Sequence, residues 1–190
     1  MALSFFWQAE LCADLTAEQL YQRYRDRADS TALAQLIALH GNELYYFLLR
    51  QSDRTLAEDI SQQCWLKVVE HRAGFAGLSS FKTWLFSLAR HALIDELRRQ
   101  QRWQWQQLDD DNFDVQPCLA EQLAQGRAQQ QFSQQLQALP FLQREALMLQ
   151  LEGFSLLEIS QITAQPTETV KSRLRYARQF LQHSIANQAE

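Results

Sequence analysis

The sequence predicts an all-α fold of two small helical domains joined by an acidic linker, with a helix-turn-helix in the C-terminal domain. Three observations predict this class. Apolar residues recur at the three- and four-residue spacing of amphipathic helices. Glycine and proline, which interrupt helices, number only 5 and 3 among 190 residues. No long alternation of β-branched residues, the pattern of a half-buried strand, is present.

The first 30 residues are predicted to form an N-terminal extension, to which the sequence assigns no role. Thr16 and Gln19 form a weak capping box, and Leu20, Tyr21 and Tyr24 have the spacing of a short amphipathic helix. The N-terminal aromatic run lacks a preceding basic flank, so a signal peptide is not predicted. No apolar run reaches the roughly 20 residues of a membrane span.

The first domain is predicted over residues 31–103 and begins with two helices. One spans Thr31 to Arg50, and its apolar content indicates a core element. The next opens at a capping box formed by Thr55 and Glu58 and runs from about Leu56 to His71. The predicted buried stripe of this second helix consists of Ala57, Ile60, Cys64 and Val68.

A second face of the same helix carries four residues at positions i, i+3, i+4 and i+7, namely Asp59, Gln62, Gln63 and Leu66. Two interpretations fit this pattern about equally. The face is either solvated surface interrupted by an exposed leucine, or a docking face for a partner helix, which requires mixed polar and apolar anchors.

A long helix with an aromatic start and a basic end follows a loop of glycine and serine residues. It begins at Phe81, and its polar candidates for nucleic-acid contact are Lys82, Arg90, His91, Arg98 and Arg99. Most of Trp84, Leu85, Leu88, Ala89 and Ala92 are predicted to lie in the core. The terminal arginines also complement the helix dipole, which explains them without any nucleic acid.

An acidic linker is predicted over residues 104–125. The stretch from Trp103 to Gln125 carries five acids and no cation, as expected of a solvated tether. The C-terminal domain is predicted over residues 126–190. It begins with a glutamine-rich run in which Phe132, Leu136 and Leu139 keep helical spacing. This run is therefore predicted to form an ordered helix.

The helix-turn-helix is predicted from two capping signals and a proline. Ser155 and Glu158 form a capping box that starts the first helix, and Pro166 ends it. Thr167 is the expected N-cap of the second helix. That helix has an apolar stripe and, beside it, polar and basic residues at Thr169, Lys171, Ser172, Arg173, Arg175 and Arg178.

A helix that is apolar on one side and basic on the other fits the major groove of DNA, where cations hold phosphates and short polar side chains meet base edges. The alternative is a solvated helix with ordinary surface charge. The basic face stands out because the whole chain has a formal charge of −4. An acidic protein with separated basic stripes is expected to bind DNA weakly alone and to need a partner.

Other functional classes find little support in the sequence. The three cysteines Cys12, Cys64 and Cys118 are far apart and lack the spacing of a zinc site, which fits free thiols in a reducing cytoplasm. No metalloprotease, hydrolase, P-loop or dinucleotide motif is present. The sequence therefore predicts neither an enzyme nor a cofactor or metal site.

Several stretches resemble the extracytoplasmic-function sigma factors, the small promoter-specificity subunits of bacterial RNA polymerase. The resemblance covers roughly residues 30–182. It is carried by Ala57-Glu58-Asp59-Ile60 with Gln62, by the run FKTWLFSLARHALIDELRR from Phe81, by Leu139-Pro140 and Gln143-Arg144-Glu145, by Glu152-Gly153-Phe154-Ser155 with Glu158-Ile159, and by Thr169-Val170-Lys171-Ser172-Arg173-Leu174 with Ala177-Arg178.

The resemblance implies core RNA polymerase and promoter DNA as partners, and an anti-sigma protein that sequesters the chain. Asp59, Gln62, Gln63 and Leu66 would dock on the polymerase. Loop residues between Phe75 and Ser80 would receive an unstacked base, and Lys82, Arg90, His91, Arg98 and Arg99 would bind the minus-ten element. Thr169, Lys171, Ser172, Arg173, Arg175 and Arg178 would bind the minus-thirty-five element. The polymerase, not this chain, would perform catalysis.

The chain departs from the family pattern at several of these positions. Ala164 replaces the turn glycine, and an alanine held at positive φ costs on the order of 1 kcal/mol. Gln165 and Pro166 follow it, Gln63 stands where an acid is usual, and His91 stands where asparagine is frequent. A stand-alone helix-turn-helix regulator is the alternative function, although it leaves the first hundred residues unused.

Overall fold

The computed structural model describes residues 15–71, 74–104 and 134–186, and all regular structure in these ranges is helical. The prediction of an all-α fold is confirmed. The helices of the described ranges that exceed one turn are α1 (Ala17–Arg27), α2 (Ser30–Leu49), α3 (Arg54–Glu70), α4 (Phe81–Gln104), α5 (Phe141–Leu151), α6 (Leu156–Thr163) and α7 (Thr167–Ala186).

Helices α1 to α4 form the N-terminal lobe, whose core is a layer of apolar side chains from all four helices. The stripe predicted on α3 is confirmed, since Ala57, Ile60, Cys64 and Val68 are all at most 1% exposed. Helix α1 packs against α2 and α4 and buries Leu20, Tyr21 and Tyr24. The segment 17–27 is therefore part of the core of this lobe.

The first three helices of this lobe start at threonine or aspartate caps, and Ser80 Oγ accepts from the Thr83 N–H at 3.1 Å at the start of α4. The predicted capping box of Thr16 and Gln19 is confirmed at α1. The predicted box of Thr55 and Glu58 is wrong, because α3 begins at Arg54 and its N-cap is Asp53, whose carboxylate accepts a hydrogen bond from the Leu56 N–H at 3.0 Å. Aspartate is among the strongest N-cap residues, so it takes the position ahead of the threonine.

Helix α4 is the longest of the described helices and contacts helices of both lobes. Its 24 residues span about 36 Å. Leu85, Ala89 and Leu93 are buried on its inner face, while Trp84 is half-buried. The acidic linker of residues 104–125 and most of the glutamine-rich run lie outside the described residues, apart from Gln104 at the end of α4 and a helical turn at 134–137.

Helices α5 to α7 form the C-terminal lobe, in which α6 and α7 make the helix-turn-helix. The capping box of Ser155 and Glu158 is confirmed. Ala164 adopts the left-handed conformation at φ 52°, so the turn keeps its usual geometry without glycine. Thr167 is not the N-cap that was predicted but the first helical residue, because the Pro166 carbonyl accepts the first helical hydrogen bond from Val170 at 3.1 Å.

The predicted apolar stripe of α7 holds that helix on the lobe. Val170, Leu174 and Ala177 are at most 3% exposed, and Leu181 packs partly buried at the end of the stripe.

The two lobes pack directly on one another, mainly through α4 and α6. Phe86 of α4 lies edge-on to Phe154 with ring centroids 4.9 Å apart. Beside them, the Arg90 guanidinium is paired with the fully buried Glu145 carboxylate at 2.8 Å. A further hydrogen bond joins the lobes: Arg144 Nε of the C-terminal lobe donates to Gln51 Oε1 of the N-terminal lobe at 3.3 Å. The interface is therefore part aromatic and part ionic.

Among the described helices, none is long and apolar enough to cross a membrane.

Candidate nucleic-acid interface

The outward face of α7 presents a row of cations to solvent. Lys171, Arg175 and Arg178 are exposed, and Thr169 and Ser172 are half-exposed beside them. This arrangement follows from the buried stripe, which fixes the rotation of the helix. The cations are ordered by local contacts: Lys171 Nζ lies 2.6 Å from Glu168, Arg175 lies over the Tyr176 ring, and Arg178 donates to Gln150 at 2.7 Å.

Arg173 differs from the other cations of this helix. Its side chain is half-buried, and its Nη1 atom is inaccessible to solvent. Burial raises the pKa of Glu145, while the charges of Arg90 and then Arg173 oppose that rise. Arg173 therefore acts on the interior carboxylate of its own lobe, unlike the outward Lys171 and Arg175.

The predicted basic residues of α4 fall into two groups. His91, Arg98 and Arg99 are exposed, and Arg99 forms an ion pair with Glu96 at 2.8 Å. That pairing raises the pKa of Arg99 through the hydrogen bond from its guanidinium to Glu96. These three side chains lie along the solvent-facing side of the helix.

Lys82 and Arg90 form the second group and face the C-terminal lobe. Lys82 Nζ donates to the Glu152 carbonyl at 2.9 Å, lies 3.2 Å from the Glu43 carboxylate, and is 5.1 Å from the centre of the Phe154 ring. Only 12% of the Arg90 side chain is exposed, because it is paired with Glu145. Neither cation is free to bind phosphate in this arrangement of the lobes.

The four residues of the proposed docking face on α3 share one solvent-exposed surface. Asp59, Gln62 and Gln63 are exposed, and Leu66 is 55% exposed. A polar groove of about 390 Å³ between α3 and α4 adjoins them, with walls that include Asp59, Gln63, Asp95 and Arg99. The face therefore combines an apolar anchor with polar groups on a rigid helix, as helix docking requires.

The loop of residues 74–80 is buried near its start and exposed in its middle. Phe75 is only 7% exposed, whereas Leu78 is 92% exposed. Ala76 and Gly77 are also exposed, and Gly77 has φ 75°, a conformation that glycine adopts without strain. Residues 76–78 are thus the accessible part of the loop, and Ser79 and Ser80 beside them are half-exposed.

Sequence reasoning missed several residues that shape this surface. Glu18 and Tyr21 of α1 hold the loop, and Thr83 donates from α4 to Glu158 at 3.1 Å. Their partners lie more than fifty residues away, so no local spacing could have indicated them. No group of three or more potential metal ligands lies together in ranges 15–71, 74–104 and 134–186.

Comparison with known proteins matches each lobe to a separate family model. The model described as Sigma-70 region 2 matches residues 36–103, and the model described as Sigma-70, region 4 matches residues 129–181. Both matches occur in the order of the family, and the first of them covers the lobe that a stand-alone helix-turn-helix regulator leaves unused.

One relative matches along most of the chain and another matches over less than half of it. The ECF RNA polymerase sigma-E factor of Haemophilus influenzae is 26% identical over 188 residues, which cover 92% of this chain and 98% of that protein. The ECF RNA polymerase sigma factor SigX of Bacillus subtilis is 38% identical over 82 residues, and the match spans 43% of this chain and 42% of that relative.

A solved structure shares the fold across both lobes. The sigma factor RpoE from Bartonella quintana, in complex with the anti-sigma factor NepR, superposes with a TM-score of 0.63 at 27% identity, covering 80% of this chain and 96% of that one. Together with the two region matches, these similarities show that the chain belongs to the extracytoplasmic-function sigma factors of bacterial RNA polymerase.

Proposed function

We propose that this sigma factor binds core RNA polymerase in the cytoplasm, directs it to promoters and takes part in opening them, while the polymerase performs all catalysis. The observation that carries the proposal is the pair of matches to regions 2 and 4, each on its own helical lobe. The chain's formal charge of −4 suits a protein that is held on DNA by a partner rather than by its own overall charge.

The minus-thirty-five element is read by the outward face of α7. Lys171, Arg175 and Arg178 hold phosphates, and Thr169 and Ser172 meet base edges in the major groove. The exposure of this face, and the buried stripe that fixes its direction, support the assignment. Arg173 contributes by orienting the helix from inside the lobe.

The minus-ten element is bound by α4 and the loop before it. His91, Arg98 and Arg99 contact the DNA from the exposed side of α4, and residues 76–80 receive an unstacked base. Extruding a base costs a few kcal/mol, which contacts in the receiving loop must offset. Lys82 and Arg90 join this surface once the C-terminal lobe moves away from them.

The exposed face of α3 docks on the clamp helices of the polymerase large subunit. Asp59, Gln62 and Gln63 supply polar contacts, and Leu66 supplies the apolar anchor. An anti-sigma protein is a further proposed partner. The superposed RpoE is in complex with NepR, and CnrH, which shares the fold at 19% identity, is in complex with the cytosolic domain of CnrY.

In vitro transcription with a bacterial core polymerase and a pool of randomised promoters tests this function. With the chain present, we expect start sites to share a two-element motif that core polymerase alone does not select. Arg175→Glu should abolish the preference at the upstream element while polymerase association persists. Arg27→Glu reverses an exposed cation on α1 and serves as the matched control. Start sites that are unchanged by the chain would contradict the proposal.

Docking is tested separately by co-purification with core polymerase. The double change Asp59→Arg and Gln62→Arg places two cations on the proposed docking face and should weaken association at least tenfold, the effect of about 1.4 kcal/mol. Glu70→Arg, an exposed acid near the end of the same helix, is the control. Equal affinity of the double variant and the control would remove the docking face from the proposal.

A further inference from the structure

Helix α1 contacts both ends of the loop that precedes α4. The Phe75 N–H donates to the Tyr21 hydroxyl oxygen at 3.3 Å, and the Phe81 N–H donates to the Glu18 carboxylate at 2.9 Å. Phe81 is the first residue of α4, so Glu18 satisfies a helix N-terminal donor from 63 residues away. A carboxylate at that end is also favoured by the helix dipole.

Aromatic packing strengthens the same connection. The Tyr21 ring is 1% exposed, and its centroid lies 5.3 Å from that of Phe75, 5.3 Å from that of Phe81 and 5.9 Å from that of Trp84. Edge-on and tilted pairs at these distances stabilise beyond the burial of their area. Burial tends to raise the pKa of Glu18, but backbone hydrogen bonds, first that of Phe81, lower it, so the cap stays charged.

Between the two anchored ends, residues 76–78 are left exposed by the described part of the chain, and Ser79 and Ser80 are half-buried. Ala76, Gly77 and Leu78 are exposed, and Leu78 is 92% exposed. The two ends of the loop are therefore fixed by α1, while its middle is accessible to a ligand. We infer that Glu18 and Tyr21 are positioning residues that hold the loop of residues 76–80 in the conformation that receives an unstacked promoter base.

This inference rests on the proposed function of the loop. It assigns a role to a helix that precedes the region-2 match at residues 36–103. Neither residue touches DNA. Each acts through the loop, and therefore its loss should affect one base position rather than the whole promoter.

The test is an abasic scan of the minus-ten strand. Full-length protein with core polymerase is bound to single-stranded oligonucleotides in which each base in turn is removed, and affinities are measured by fluorescence anisotropy. The unaltered chain should show one position where base removal weakens binding about tenfold, since stacking of one base is worth about 1–3 kcal/mol. In Tyr21→Phe and Glu18→Ala, removing the base at that position should no longer weaken binding, while the effects at the other positions should stay the same.

Matched variants separate positioning from a general loss of structure. Tyr46→Phe makes the same chemical change at an exposed tyrosine of α2, and Gln22→Ala truncates an exposed side chain of α1. Both variants should show the same dependence of affinity on the abasic position as the unaltered chain. A sensitive position that survives in Tyr21→Phe and Glu18→Ala, or an equal loss at every position, overturns the positioning role. A scan of the unaltered chain with no sensitive position overturns base capture itself.

Discussion

Two alanines at helix ends hold a left-handed conformation, and one of them, Ala164, is a departure from the family pattern. Ala28 and Ala164 end α1 and α6 at φ 54° and 52°. Each backbone N–H is satisfied, that of Ala28 by the Tyr24 carbonyl and that of Ala164 by Gln161 and Ser160. The turn of the helix-turn-helix also gains a hydrogen bond from Ser160 Oγ to the Gln165 carbonyl at 2.6 Å. The geometry is retained at the expense of backbone strain.

Replacing Ala164 with glycine should relieve that strain. We expect Ala164→Gly to raise the free energy of unfolding by about 1 kcal/mol, because glycine adopts positive φ without a Cβ clash. Ala34→Gly, at an exposed position inside α2, should lower it by a similar amount. Urea unfolding followed by circular dichroism measures both, and a destabilised Ala164→Gly would refute the strain argument.

The carboxylate of Glu158 gives a prediction for pH. Hydrogen bonds from the Ser155 backbone and hydroxyl lower the pKa of Glu158 below its ordinary value of 4.5, against the opposing effect of burial. Its contribution to stability is therefore complete above pH 4.5 and disappears as the pH falls through the lower folded-state pKa. Glu158→Gln should be less stable than the parent by about 0.5 kcal/mol at pH 7.

The same comparison at low pH supplies the control. The difference between the parent and Glu158→Gln should vanish below the folded-state pKa, where both side chains are neutral. Urea titrations between pH 3 and pH 7 measure this difference. A stability difference that stays constant with pH would contradict the stabilising role of the Glu158 charge.

At the scale of elements, two of the four predicted helix N-caps, at Thr16 and Ser155, were confirmed, whereas those at Thr55 and Thr167 were each placed one or two residues too late. The boxes at Thr16 and Ser155 were identified because a single Ser or Thr stood three residues before Glu or Gln. At α3 the box of Thr55 and Glu58 was predicted as the start, whereas the structure places the N-cap at Asp53, two residues earlier. The spacing of a capping box therefore does not exclude an aspartate cap just ahead of it.

The cap of α3 can be tested directly. Asp53→Ala should cost about 1 kcal/mol of unfolding free energy, because the Leu56 N–H loses its acceptor. Thr55→Ala, at an exposed residue of the first turn, should change stability by less than about 0.5 kcal/mol. Chemical denaturation of the two variants would contradict the structure if their effects were reversed.

At the scale of the whole molecule, the fold class and the basic face of α7 could be predicted, whereas the contacts between lobes could not. Helical periodicity reports which face of an element is buried, as it did for Val170 and Ile60. It does not report what lies opposite. The family resemblance implied that Lys82 and Arg90 bind DNA, whereas in this structure they bind acceptors of the C-terminal lobe.

The ionic contact between Arg90 and Glu145 should hold the lobes together. Removing one partner of a buried pair leaves the other charge unpaired, which is strongly destabilising. Glu145→Gln should therefore separate the lobes and broaden the distance between spin labels placed at Glu70 and Gln182, two exposed positions on different lobes. Double electron–electron resonance on the full chain measures this distance.

The labelling background and control follow from the structure. Cys12 and Cys118 are replaced by serine, while Cys64 can remain because burial raises the pKa of its thiol to about 12. Glu168→Gln neutralises a surface acid paired with Lys171 and should leave the distance unchanged. If Glu145→Gln gives the parent distance distribution, the ion pair does not secure the closed arrangement.

Glu145 also couples the electrostatics of two helices. Its carboxylate pairs with Arg90 of α4, and the charge of Arg173 on α7 acts on it as well. A lineage that replaces this glutamate with a neutral residue removes a charge that both arginines share. We expect positions 90, 145 and 173 to covary among descendants of this chain, so that changes on α4 and on α7 are inherited together rather than independently.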